Sequence, residues 1–353
     1  MPEQARAGRF VVLDGLRGLA AFAVIVDHVD SPILRALIPG RYLAVDFFFV
    51  LSGFVLANAY QARFDSGMSA LGFMRARFIR LYPMYLLGLA IVAALTAVQF
   101  LSGVDPMPGT YLLVAFGTAI FMLPTPPIYG APGASLYPLN APAWTLLFEL
   151  LANALYALTA RWLTRGVLAF ALPVLAVAAF LIIPQTHELG AGWLWPDFGA
   201  GLIRVLYGFF AGVFIFKLRD RLQPPPVPAW FAALGLLILL MLPVPEELRR
   251  WFDSIALVVL VPLLVFFAQN AVIKGRWASL ATTAGLVSYG VYVLHVPIYN
   301  VVEWLLSGLG EHRLAGIVVV GMVAVLATLV ALLADKHFDM PFRSLLRRRL
   351  PGR

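Results

Sequence analysis

Leu13-Asp14-Gly15-Leu16-Arg17-Gly18 opens an apolar run that continues through residues 19–26 and closes on Asp27-His28. The run has the length of a membrane-crossing helix, yet Asp14, Arg17 and His28 sit inside it. Arg17 and His28 are eleven residues apart, which is about three helical turns and about 16 Å along one face. Asp14 falls near the same stripe. A charge at mid-bilayer costs about 2.5–3.5 kcal/mol on insertion scales. Such a stripe therefore faces a protein interior or a wet cavity and marks a functional site.

Composition agrees with a membrane reading. The chain has 353 residues, 61% hydrophobic and 12% charged, with mean hydropathy +0.88, against about 25% charge in soluble domains. The formal net charge of +8 sits in short loops between apolar runs. It therefore reads as a topology signal and not as a nucleic-acid footprint. Cysteine is absent, which removes thiol nucleophiles, disulfides and cysteine metal sites. The first run carries Asp14 and Arg17 and lacks a small-residue cleavage site, so no cleavable signal peptide is expected.

Apolar runs occur near 10–29, 42–60, 78–100, 110–123, 143–162, 167–184, 199–217, 228–243, 253–270, 279–303 and 314–335. The run at 110–123 is short of the roughly 20 residues a span needs. If it does not cross, 19 basic residues fall inside and 5 outside; if it crosses, the division is 9 and 15. The positive-inside rule selects the first arrangement. The expected fold is all-α: a polytopic membrane helix bundle of about ten transmembrane helices, a re-entrant helix at 110–123 and both termini cytoplasmic. The Arg347-Arg348-Arg349 ending reads as a cytoplasmic stop signal.

This topology puts His28 at the outer end of the first span. Glu149 falls about two turns into the fifth, also in the outer half. Thr145, Glu149, Asn153 and Tyr156 share one helical face, as do Ser288, Tyr292, His295 and Tyr299. Arg77 and Arg80 fall at the cytoplasmic mouth of the third span, with Arg17 in the inner half of the first. Basic groups thus gather at the inner mouth and a histidine–carboxylate set near the outer side. Plainer readings exist for each residue taken alone. Arg77 and Arg80 also serve as topology anchors, Glu149 as a counter-ion, His295 as a buried structural histidine and Trp144 as an interfacial belt aromatic. His187, His312 and His337 receive no role, and Asp197 and Arg204 read as structural.

Six motifs in order resemble the acyltransferase-3 family of integral-membrane acyltransferases, which O-acylate cell-surface glycans and some small molecules. They are Leu13-Asp14-Gly15-Leu16-Arg17-Gly18 with His28; Val45-Asp46-Phe47-Phe48-Phe49-Val50-Leu51-Ser52-Gly53-Phe54; Arg77-Phe78-Ile79-Arg80-Leu81-Tyr82-Pro83; Asn140-Ala141-Pro142-Ala143-Trp144-Thr145-Leu146-Leu147-Phe148-Glu149; Ser288-Tyr289-Gly290-Val291-Tyr292-Val293-Leu294-His295; and Asp339-Met340-Pro341-Phe342-Arg343. In the last, the family more often has Glu where Asp339 stands. The resemblance covers nearly the whole chain. It implies a single transmembrane acyltransferase domain over 1–343 with a basic cytoplasmic tail at 344–353. It also implies the stand-alone type, without a fused hydrolase-like domain.

The resemblance further implies acyl-CoA, most often acetyl-CoA, as co-substrate, with no permanently bound cofactor, no metal and no nucleic-acid partner. The implied acceptor is a glycan or small-molecule hydroxyl, and the composition suggests a bacterial inner membrane as the setting. Such chemistry needs a base for the acceptor hydroxyl, and His28 suits it because an imidazole titrates near working pH. Glu149 is the expected carboxylate to orient that ring; Asp27 is a poorer one. Arg77 and Arg80 suit bidentate phosphate contact, and Arg17 a deeper part of the donor. Ser52, Trp144, Tyr292 and His295 complete the expected donor-binding set. Direct transfer and an acyl-histidine route both fit the sequence. The competing class is a transporter or permease with an intramembrane His–Glu–Arg relay.

Overall fold

The computed structural model describes residues 10–104, 108–127, 135–185, 191–308 and 316–349. His187 and His312 lie outside the described residues. Those described form a helix bundle without β-strands. In chain order the helices are α1 (Val11–His28), α2 (Pro32–Leu37), α3 (Leu43–Asp65), α4 (Ala70–Leu101), α5 (Gly109–Ile120), α6 (Ala143–Thr159), α7 (Arg165–Ile182), α8 (Phe198–Leu218), α9 (Ala229–Met241), α10 (Glu246–Ile255), α11 (Val261–Ala268), α12 (Gly275–Gly308), α13 (Gly316–Ala334) and α14 (Met340–Arg349). A π-helical turn, Ala256–Leu260, joins α10 to α11, and another, Asp335–Asp339, joins α13 to α14.

Among the described residues, seven helical runs are long and apolar enough to cross a membrane. Each of the other three expected spans is also a helix. α1 has 18 residues but carries Asp14, Arg17 and Asp27, while α6 and α9 have 17 and 13 residues. The short run near 110–123 forms α5, whose 12 residues reach about 18 Å, well under a bilayer core. It is held to α4 by Tyr85 and Tyr82, whose hydroxyls donate to the carbonyls of Ala119 (2.8 Å) and Ile120 (3.0 Å). Helix also continues beyond residue 343, through α14 to Arg349.

Two close helix seams set the frame. Between α1 and α12, Gly15 meets Ala281, Gly18 meets Ala284, and Gly285 meets the Asp14 side chain. Small residues let the two backbones approach, as membrane helix pairs require. Between α3 and α8 the contact is reciprocal. A β-carbon on Gly53 would overlap the Phe209 carbonyl, and one on Gly212 would overlap the Val50 carbonyl. Gly53→Ala is therefore expected to lower stability by about 1–3 kcal/mol, the usual cost of overpacking a close seam. The check is a lower unfolding midpoint in detergent, and an unchanged midpoint would show slack in the seam.

Proline shapes α12 where it matters. Pro297 has no N–H for the Val293 carbonyl one turn earlier. Asn140 Nδ2, in the loop before α6, donates to that carbonyl instead at 3.1 Å. This bond ties the start of α6 to the turn of α12 that carries His295.

Candidate functional site

The α1–α12 seam brings the two histidines together. His28, the last residue of α1, lies against His295, with ring centroids 4.9 Å apart at 72°. His295 Nδ1 is 2.7 Å from the Tyr292 carbonyl and 3.2 Å from that of Val291. Carbonyls only accept, so this nitrogen carries the proton and Nε2 is the acceptor. That Nε2 is 3.2 Å from His28 Nδ1, which is also 3.0 Å from the Val24 carbonyl. His28 Nδ1 therefore carries its ring's proton. Its Nε2 keeps a lone pair, with no hydrogen-bond partner among the described residues. Backbone carbonyls thus set the tautomers of both rings.

Glu149 is elsewhere. Its Oε1 accepts from Arg77 Nη2 at 2.6 Å and from Ser52 Oγ at 2.9 Å. The expected Glu149–His28 pairing is replaced by His28–His295 and Glu149–Arg77. Helix rise gives the reason. Thr145, one turn before Glu149, meets Tyr292 at 2.8 Å, so Glu149 lies about 6 Å further along α6, away from His28. Arg77 itself is seven residues into α4, about 10 Å from the helix start, and its side chain is 12% exposed. The expected mouth residue is an interior one. Arg80 is more open. It lies 4.0 Å from Asp339 and 5.2 Å over the Tyr289 ring, and Asp339 also binds Arg343. The π-turn before α14 thus delivers the terminal motif to the basic cluster.

Arg17 donates through Nε to Ser288 Oγ at 2.8 Å and through Nη2 to the Gly285 carbonyl, and pairs with Asp14 at 3.2 Å. Trp144 is buried, not a lipid-facing belt residue. It packs on Phe49 and Phe148 under the Arg204 guanidinium, 5.7 Å from its ring. Arg204 forks onto Asp46 with two 3.0 Å bonds. Asn153 and Tyr156 complete the buried α6 stripe, Tyr156 donating to Gln61 at 3.2 Å. Tyr299 instead donates to the exposed Glu303 at 3.1 Å. His337, in the π-turn, is exposed.

Three cavities run in series through these residues. One of about 250 Å³ is lined by Phe10, Asp14, Arg17 and Asn58. It shares Arg17, Leu51 and Val55 with a second, of about 180 Å³, that also holds Ser52, Arg77, Arg80, Glu149 and Ser288. That one shares Val45 and Tyr292 with a third, of about 900 Å³, lined by His28, Trp144 and a polar rim. Arg77, Arg80, Arg17, Ser52 and Glu149 therefore meet in one cavity and His28 and Trp144 in the next, with Tyr292 facing both. The rim includes residues the motifs do not mark. Arg41 pairs with Asp27 at 2.8 Å, and Tyr42 donates to Asp253 at 2.7 Å. Burial, with the Asp253 carboxylate beside it, holds the Tyr42 hydroxyl well above the ordinary phenol range, so it stays a donor. Burial likewise raises Tyr137, whose hydroxyl donates to Met122 at 2.6 Å in the loop before α6. No pattern in the sequence pairs these rim residues: Asp27 is on α1 and Asp253 on α10, while Arg41 and Tyr42 sit in the turn before α3.

Apolar helices around an interior polar passage define an integral membrane protein. The chain belongs to the acyltransferase-3 family: residues 10–335 match its acyltransferase domain. That makes it a membrane O-acyltransferase, and the permease reading gives way. It is also similar to a Rhizobium radiobacter protein described as protein 2 in the picA locus. The two are 39% identical over 194 residues, 52% of this chain and 98% of that protein. No solved structure matches the chain.

Proposed function

We propose that the protein moves an acyl group, acetyl in the first instance, from cytoplasmic acyl-CoA to a hydroxyl of an extracytoplasmic glycan or related small molecule. Its setting is a bacterial inner membrane, crossed ten times with both termini cytoplasmic. One observation carries the reading: the cavities are in series, with Arg17, Arg77 and Arg80 in the inner two and, in the third, an imidazole with a free Nε2 among rim residues that include Arg35, Arg41, Arg249 and Arg250. CoA phosphates sit with Arg77 and Arg80, whose guanidiniums suit them, and Arg17 flanks the inner two cavities. The pantetheine arm extends toward Tyr292, and the thioester carbonyl comes to His28.

His28 Nε2 accepts the acceptor's hydroxyl proton as that oxygen bonds to the thioester carbon. The tetrahedral oxyanion collapses, the C–S bond breaks, and the imidazolium returns its proton to the departing thiolate. The products are an ester and CoA. His295 is a positioning residue: its Nε2 accepts from His28 Nδ1–H beside the Val24 carbonyl and orients the ring, leaving the other nitrogen bare. Glu149 positions Arg77 and Ser52.

The test uses purified protein in vesicles with no ion gradient, where CoA release from acetyl-CoA is expected. Glycans from cells with and without the gene are expected to differ by one acetyl mass. No CoA release and no mass difference would end the reading. Arg77→Ala combined with Arg80→Ala is expected to raise the KM for acetyl-CoA about tenfold or more. That equals the loss of about 1.4 kcal/mol of binding, and kcat should fall less. Unchanged donor dependence would reduce the pair to topology anchors.

A further inference from the structure

Val45 and Tyr292 are the two residues common to the Arg77 cavity and the His28 cavity. Both are nearly inaccessible, at 8% and 7% exposure. The wall they make is braced. The Tyr292 hydroxyl is 2.8 Å from Thr145 Oγ1 and 3.4 Å from the Pro142 carbonyl. Its ring stands edge-on to Phe48 at 5.4 Å and lies 6.1 Å from the His295 ring. Turning Tyr292 aside breaks the Thr145 bond and disturbs the turn that holds His295.

Resting on the acyl-CoA reading above, we propose that Val45 and Tyr292 form a septum that selects the donor's acyl chain by length. The geometry of a thioester leads there. Its carbon is trigonal, with sulfur arriving from the arginine cavity and the attacking oxygen from the His28 cavity. The acyl chain can then follow neither passage and lies sideways against Val45, Phe48 and Thr145. That wall is mostly apolar and bounds a cavity of only about 180 Å³, so each added methylene must push on Val45 or on the latched Tyr292 ring. Acetyl and propionyl fit; butyryl and longer chains do not. A badly fitted methylene in an apolar pocket is worth about 10–200-fold in kcat/KM.

The experiment measures CoA release from acetyl-, propionyl- and butyryl-CoA by the full chain in vesicles, with water as acceptor. Water then supplies the attacking oxygen, and its proton passes through His28 to the CoA thiolate. Wild type is expected to favour acetyl- over butyryl-CoA by about tenfold or more. Val45→Ala, which opens the wall, is expected to bring that ratio down at least fivefold. Val45→Ile, which adds a methylene, is expected to raise the acetyl-to-propionyl ratio, and it carries the test should Val45→Ala not fold. A wild-type profile flat from two to four carbons, or ratios unmoved in the folded variants, overturns the septum and leaves the acyltransfer reading intact. Wild type that releases no CoA from any of the three overturns both.

Discussion

His28→Ala is expected to lower CoA release and acyl transfer by about 10²–10⁴-fold, the usual contribution of a positioned general base. Donor binding is expected to survive, because Arg77 and Arg80 line the neighbouring cavity and not that of His28. The two effects separate in one assay. A thiol-reactive dye follows released CoA without interference, since the chain has no cysteine. Thermal stabilisation by CoA then reports binding in the same preparation. Activity within about threefold of wild type would remove His28 from the chemistry. His295 supplies a second arm. Glutamine there presents an oxygen to His28 Nδ1–H, so His295→Gln is expected to keep more activity than His295→Ala. Both variants are expected to lower kcat with little change in the KM for acetyl-CoA, because the loss falls on the orientation of the His28 ring and not on the donor-binding arginines. Equal loss in both variants would make His295 a packing residue only.

The largest stability effect is expected at Asp46. Its carboxylate and the Arg204 guanidinium are 2% and 5% exposed and form a two-pronged pair between α3 and α8. Arg204 also donates to the Ala191 carbonyl. Asp46→Ala leaves a buried cation without its counter-ion, which costs about 3–5 kcal/mol. Replacing both residues by apolar side chains of similar volume, Asp46→Leu with Arg204→Met, is expected to recover most of that loss, since a buried pair often breaks even against hydrophobic packing. Unfolding midpoints of wild type, the single variant and the double variant in detergent make the comparison. A single variant as stable as wild type would show that water reaches Arg204. Activity is expected to fall along with stability in the single variant, because Trp144 rests under Arg204 and walls the His28 cavity.

Much of this site is legible in the chain. Arg17 and His28 on one stripe of an apolar run, and the polar faces of α6 and α12, follow from helical period alone. The buried positions of Thr145, Asn153, Tyr156, Ser288 and His295 agree with those faces. What period does not specify is which stripe meets which, and at what depth. Glu149 and His28 both fall in the outer half when spans are counted from their ends. Yet α6 runs on past Tyr292, so its carboxylate reaches Arg77 and Ser52 instead. A shift of one turn, about 5.4 Å, is enough to exchange one partner for another.

Trp144 shows the same limit from another side. At the start of an apolar run it reads as a belt residue, but it is buried beneath a guanidinium from α8, 60 positions later in the chain. The sequence by itself determined an all-helical membrane chain, the family it belongs to and the residues able to do proton and phosphate chemistry, because hydropathy, charge and period are local properties. Only the tertiary structure decided that His28 pairs with His295 and Glu149 with Arg77, and that Val45 and Tyr292 stand between the two groups. Those facts depend on the rotation and depth of helices packed through glycine–alanine seams, which contacts hundreds of residues apart in the chain set together.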